Sequence, residues 1–141
     1  MPSLSRKPRK RRVGKSNKLF PESEVQVAAL EWLGLSHPVA RQAIIKISNE
    51  GKRSAAGHSL AARLGMYVGA SDLLLAWPNL RYAGLFLEVK PMGWKATPSK
   101  MLHHQRQLDF IEHMKALGYH GEVGVGVDEC IRIFKEYLNP K

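Results

Sequence analysis

The sequence predicts an α/β protein (α+β class) with one mixed β-sheet flanked by helices, in the order α-β-α-β-β-α-β-α. Three observations carry this. Two strand-like runs, DLLLAW (72–77) and AGLFLEVK (83–90), are apolar at successive positions, as strands covered on both faces are. Pro78-Asn79 between them is a turn signal, which makes the pair a hairpin. A long helical pattern then leads into one more strand and a closing helix, and such an order packs as helices over a sheet.

The first helix begins at Pro21-Glu22, residues suited to a first turn. Val25, Ala28, Ala29, Trp32 and Leu33 repeat at helical spacing, and Gly34 is a stop. His37-Pro38 reads as loop, AIIKIS (43–48) as a strand and SNEGKRSAAG (48–57) as a turn-rich loop. HSLAARLG (58–65) reads as a short helix ending at Gly65. After the hairpin comes a loop with Pro91, Gly93 and Pro98. The strongest helical pattern is SKMLHHQRQLDFIEHMKALGY, where Leu108, Ile111, Met114 and Leu117 recur at three-residue steps and Gly118 supplies the stop. GEVGVGV (121–127) is the last strand, and DECIRIFKEYL (128–138) a helix capped by Asp128.

With 141 residues and 44% apolar content, the chain is expected to form one domain over 21–141. The sequence has no apolar run of membrane-spanning length and no signal-like start, so a cytoplasmic protein that meets no membrane is expected. Cys130 is the only cysteine, which excludes a disulfide within the chain and a zinc knuckle. Of the net charge of +10, the first twenty residues carry +8 and no acid. That tail, which includes Arg9, Lys10, Arg11 and Arg12, has almost nothing apolar to bury and is expected to be disordered when free. A polyanion such as DNA is its natural partner, through counterion release. A solvated arm for solubility or transport has the same composition.

The run LFLEVKPMGW (85–94) breaks its own pattern, because Glu88 and Lys90 sit inside an apolar strand. With the turn around Pro78 to Tyr82, facing residues have numbers summing to about 160, so Asp72 lies opposite Glu88. Alternation puts Glu88 and Lys90 on that same face. Leu73, Leu75, Leu87 and Val89 fill one face; Leu74, Ala76 and Phe86 fill the other. Two carboxylates together in apolar surroundings need a proton or a cation, and hard oxygen ligands suit Mg²⁺ or Mn²⁺. A strand-end aspartate beside a solvated E-x-K pair would show the same letters.

An acid, then E-x-K on the adjacent strand, with an acid on a preceding helix, resembles the PD-(D/E)XK nuclease fold. More narrowly, the chain is similar to the virus-type replication-repair nuclease family, VRR-NUC, in its stand-alone phage or bacterial form. ESEVQ, NEGKR, GASDLLL, LFLEVK and the helical QxxF leading to LGY occur in the family's order across about residues 22 to 138. The resemblance implies a catalytic set of Asp72, Glu88, Lys90, Gln107 and Glu24, with Glu22 and Gln105 as neighbouring alternatives. It implies that Asp72, Glu88, the Val89 backbone carbonyl and Glu24 hold Mg²⁺ or Mn²⁺. Ser71 and Ser48 depart from the family pattern, each standing where proline is usual. The activity implied is a metal-dependent endonuclease on branched DNA, Holliday junctions included, acting as a homodimer in a bacterial or phage-infected cell.

Lys52, Arg53, Lys95 and Lys100 fall in loops near the site, and with Trp94 they are candidates for DNA contact. His103 and His104 are read as backbone contacts rather than metal ligands, since adjacent histidines point apart on a helix. Trp32 and Trp77 are read as core. Two other functions stay open at this level: a nucleic-acid binder that kept the fold without catalysis, and a sequence-specific restriction-type endonuclease.

Overall fold

The computed structural model describes residues 21–48 and 55–141. The basic tail, with Arg9, Lys10, Arg11 and Arg12, lies outside the described residues, as do Asn49, Glu50, Lys52 and Arg53. Helix α1 (Glu22–Ser36) starts where the Pro21 carbonyl accepts from the amides of Glu24 (2.9 Å) and Val25 (3.2 Å). Glu22 and Glu24 in its first turn suit the positive end of the helix dipole. Its buried stripe is Val25, Ala29 and Leu33. Pro38 opens a second short helix, α2 (Pro38–Arg41), where the sequence reads as loop. Proline's fixed φ and missing donor are harmless in a first turn, which explains the difference. Strand β1 is Ile44–Lys46, and α3 spans Ala55–Arg63, starting three residues ahead of its expected position.

The hairpin forms as expected. Strands β2 (Leu73–Leu75) and β3 (Leu85–Lys90) pair antiparallel, with Leu73 opposite Leu87 and Leu75 opposite Leu85. β2 is shorter than its apolar run, and Ala76 and Trp77 are exposed rather than core. The chain leaves the ladder there to build its turn. Asn79 Oδ1 accepts from the amides of Arg81 (2.8 Å) and Tyr82 (2.7 Å), and Asn79 Nδ2 donates to the Tyr137 carbonyl (3.0 Å).

Helix α4 (Met101–Ala116) crosses over to β4 (His120–Val125), which pairs parallel to β3. The buried stripe of α4 is Gln107, Phe110 and Ile111; Leu117 lies past the helix end and is exposed. Helix α5 (Val127–Leu138) buries Cys130, Ile133, Phe134 and Tyr137. Its cap position is Gly126 at φ 82°, so Asp128 stands inside the first turn and makes no capping bond. The expected cap at Asp128 is therefore corrected by two residues.

The sheet order is β1-β2-β3-β4, with β3 buried at every position. One core joins Leu73, Leu75, Leu85, Leu87 and Val89 to α1 and α5. A second, smaller core joins Phe86 to Phe110 and Ile111 of α4 on the opposite face. No helix among the described residues is long and apolar enough to cross a membrane.

Two glycines in β4 let helices approach from both sides. A Cβ at Gly121 would stand 2.9 Å from Ile111 of α4, and one at Gly124 would stand 2.6 Å from Cys130 Sγ of α5. Gly124→Ala therefore forces α5 away from the sheet and is expected to lower stability by about 1–3 kcal/mol, as overpacked cores do. Urea unfolding of Gly124→Ala and of Gly124→Ala with Cys130→Ala checks this. The second change removes the sulfur and should recover part of the loss.

Candidate active site

The face of the sheet under α4 carries the polar residues that the sequence places together. The observed register continues to residue sums of 160, which sets Asp72 against Glu88 just beyond the end of β2. Asp72 Oδ2 accepts from the Val89 amide at 2.8 Å, so its carboxylate reaches across to β3. Lys90 follows two residues after Glu88 on the same face. Glu88 is 1% exposed, Lys90 5% and Gln107 5%.

Three polar side chains interlock here. Lys90 Nζ donates to Gln107 Oε1 at 2.7 Å and stands 3.3 Å from Glu88 Oε1. Gln107 Nε2 donates to that same Glu88 oxygen. Gln107 thus serves both partners, with its oxygen toward the cation and its amide toward the carboxylate. Gln105, the alternative, is exposed and bonds Asp109 at 2.9 Å. Glu88 Oε2 and Ser71 Oγ are buried with no hydrogen-bond partner among the described residues.

Burial, with the Asp72 charge adding to it and Lys90 holding part of the shift back, raises the Glu88 carboxyl to about 8. Burial also raises Asp72, against the lowering effect of the Val89 amide, Lys46 and Lys90. Two carboxylates that resist joint ionisation and a buried oxygen without a donor fit a small cation bound by hard ligands. Among the described residues, no three His, Cys, Asp or Glu side chains converge to hold a metal. A metal here would need oxygens besides the side chains of Asp72 and Glu88. Backbone carbonyl, water and substrate phosphate are the usual complement for magnesium.

For the first-helix acid the resemblance implies Glu24, with Glu22 as its neighbouring alternative. Glu24 is exposed, whereas Glu22 is half-buried and its charge acts on Glu88. Glu22 lies three residues before Val25, on the helix stripe that faces the sheet, and this explains the preference. Lys46 was not singled out from the sequence. It pairs with Leu73, and Ile47 donates to the Asp72 carbonyl at 2.8 Å, so β1 carries a cation to the mouth of the site. Finding it needed the knowledge that β1 lies beside β2. Lys95 and Lys100 are exposed on the loop after β3, and Trp94 lies against Lys90 at 4.8 Å from Nζ to ring centroid.

The raised Glu88 carboxyl has a measurable consequence in the metal-free protein. The folded chain holds a proton that the unfolded chain releases between about pH 4.5 and about pH 8, so stability is full below that window and falls as pH rises through it. Urea midpoints measured across this range should decline toward alkaline pH. Glu88→Gln should flatten most of the slope, and an unchanged slope would contradict the assignment.

No family model matches the chain, and no curated protein does. Among solved structures, a "VRR_NUC domain protein" superposes with a TM-score of 0.68 at 25% identity. The match covers 86% of this chain and 90% of the other, so it is a likeness of most of both chains rather than of a shared fragment. A mixed sheet whose central hairpin carries the acid and the E-x-K motif thus belongs to a chain that is similar in fold, over most of its length, to a VRR-NUC domain.

Proposed function

We propose that this nuclease-type domain is a Mg²⁺- or Mn²⁺-dependent endodeoxyribonuclease that hydrolyses phosphodiester bonds, with branched DNA such as a four-way junction as its preferred substrate. The observation that supports it most is the buried Glu88 carboxyl beside half-buried Asp72, with one unpartnered oxygen and the other locked to Lys90 and Gln107. Without a cation, such carboxylates would repel a phosphate backbone.

Asp72, Glu88 and the Val89 carbonyl would hold the metal, with Glu22 or Glu24 completing the shell directly or through water. The bound metal supplies water activation and charge stabilisation on the phosphate. Lys90 orients the attacking water and offsets the negative charge that grows on the phosphate oxygens. Gln107 keeps the ammonium and the Glu88 carboxylate in register, so that neither swings away. Lys95, Lys100 and Trp94 line the approach of the strand. Lys46 adds positive charge beside Asp72. A homodimer would offer two equivalent sites to the two-fold symmetry of a junction.

Incubating the purified chain with labelled four-way junction and matched linear duplex tests this, in Mg²⁺, Mn²⁺ or EDTA. Cutting is expected only with metal and faster on the junction. Asp72→Ala and Lys90→Ala should each reduce the rate by at least about 100-fold, the usual contribution of a group acting at the reacting centre. Absence of cutting on any DNA would leave a binder, and sequence-fixed cuts in linear duplex would indicate a restriction-type enzyme.

The basic tail makes a separate prediction. Removing residues 1–18 deletes eight cations. Binding should weaken and its dependence on salt should flatten, while the rate at saturating DNA stays the same. Titrations at several salt concentrations measure the slope.

A further inference from the structure

The loop after β3 turns back over the site. Gly93 at φ 73° takes the left-handed conformation that only glycine adopts freely, and the Trp94 amide donates to the Pro91 carbonyl at 3.1 Å. This brings the Trp94 ring to 4.8 Å from Lys90 Nζ, inside the range of a cation–π contact. The same ring meets His104 at 4.7 Å between centroids, tilted by 57°. His104 lies three residues before Gln107 on α4, so the helix that supplies Gln107 also supports the tryptophan. His104 Nδ1 is buried with no hydrogen-bond partner among the described residues.

A lysine ammonium has three donors and sits on a flexible four-carbon stem. Two of its close neighbours are oxygens, Gln107 Oε1 at 2.7 Å and Glu88 Oε1 at 3.3 Å. A third close neighbour is an aromatic ring, which attracts the cation without competing for a proton as a carboxylate would. A ring holds the ammonium in place yet leaves it able to donate to an incoming phosphate or water.

From this arrangement we infer that Trp94, supported by His104, is the positioning residue of Lys90: its ring face holds the ammonium beside Glu88 and Gln107 in the geometry the reaction uses. The inference rests on the nuclease reading above and gives Trp94 a role beyond DNA contact. The two roles differ in what they change. A DNA contact alters affinity, whereas a positioning residue alters the rate once DNA is bound.

The test uses the full chain and Trp94→Phe, Trp94→Leu and Trp94→Ala, with cutting rates at saturating DNA and, separately, DNA affinity in Ca²⁺. Leucine fills space without a ring face; phenylalanine keeps the face. Trp94→Leu and Trp94→Ala are expected to slow cutting by about tenfold, the rate equivalent of a half-buried cation–π contact. Trp94→Phe should cut within about threefold of the parent, and in Trp94→Leu and Trp94→Ala the loss of rate should exceed any loss of affinity. A loss confined to affinity, or a leucine variant as fast as the parent, would overturn the proposal. Proton spectra give a reading independent of cutting. The Lys90 Hε protons should be shifted upfield by the Trp94 ring, return to the ordinary position in Trp94→Leu and remain partly shifted in Trp94→Phe. Ordinary Lys90 shifts in the parent would overturn the contact itself. A parent chain that cuts no DNA would instead count against the nuclease reading, and the spectra would still decide whether the ring holds the ammonium.

Discussion

Leu73 pairs with Leu87 across the hairpin, and that one register decides which side of the sheet Asp72, Glu88 and Lys90 occupy. A slip of one residue would turn Asp72 toward α1 and α5, into the larger core, and leave Glu88 under α4 without it. The apolar neighbours enforce the pairing. Leu73, Leu75, Leu87 and Val89 must face the larger core together, and the residues between them then have no choice of side. The position of the charged cluster is thus set by hydrophobic residues that take no part in its chemistry. The same packing raises the Glu88 carboxyl, since the strand that carries it is buried along its whole length.

Helix α4 couples the second core to the site. Two parallel neighbours such as β3 and β4 require a crossover, and α4 supplies it. Phe110 meets Phe86 edge-on, with centroids 5.1 Å apart, which fixes the rotation of the helix over the sheet. Gln107, one turn earlier on the same face, is then delivered to Lys90 and Glu88. Gly121 permits the close approach by leaving room for Ile111. Stability and site geometry are carried here by one element, so a change in the packing of α4 reaches Gln107 directly.

These couplings explain what could be read from the letters. The hairpin and the shared face of Asp72, Glu88 and Lys90 followed from alternation and from a turn marked by Pro78-Asn79, both local signals. Gln107 was favoured over Gln105 by its place in the QxxF pattern of the resemblance, and the structure buries Gln107 and exposes Gln105. Glu22 and Glu24 could not be separated in that way, because the answer depends on how α1 is rotated against the sheet. Lys46 and the Trp94–Lys90 contact were equally hidden. One depends on which strand borders β2, the other on a loop folding back after β3. Ends of elements were the weakest reading: β2 stops at Leu75 because Asn79 organises a turn, and α5 begins at a glycine rather than at Asp128.

The distribution of buried polar groups argues for chemistry rather than for architecture. Among the described residues, the buried polar side chains are Ser71, Glu88, Lys90 and Gln107, with Asp72 half-buried beside them. The rest of the buried set is apolar. A buried ion pair gains little or nothing over well-packed apolar residues of similar volume, and the oxygen left without a donor on Glu88 adds a cost. If these residues served only to hold the fold, leucine or methionine would serve as well, and departures from an apolar core would have no reason to gather. They gather at the end of one hairpin, beneath the helix that bears Gln107 and beside the loop that bears Trp94. Local rules broken together at one place, while every surrounding element keeps them, mark a site maintained for what it binds.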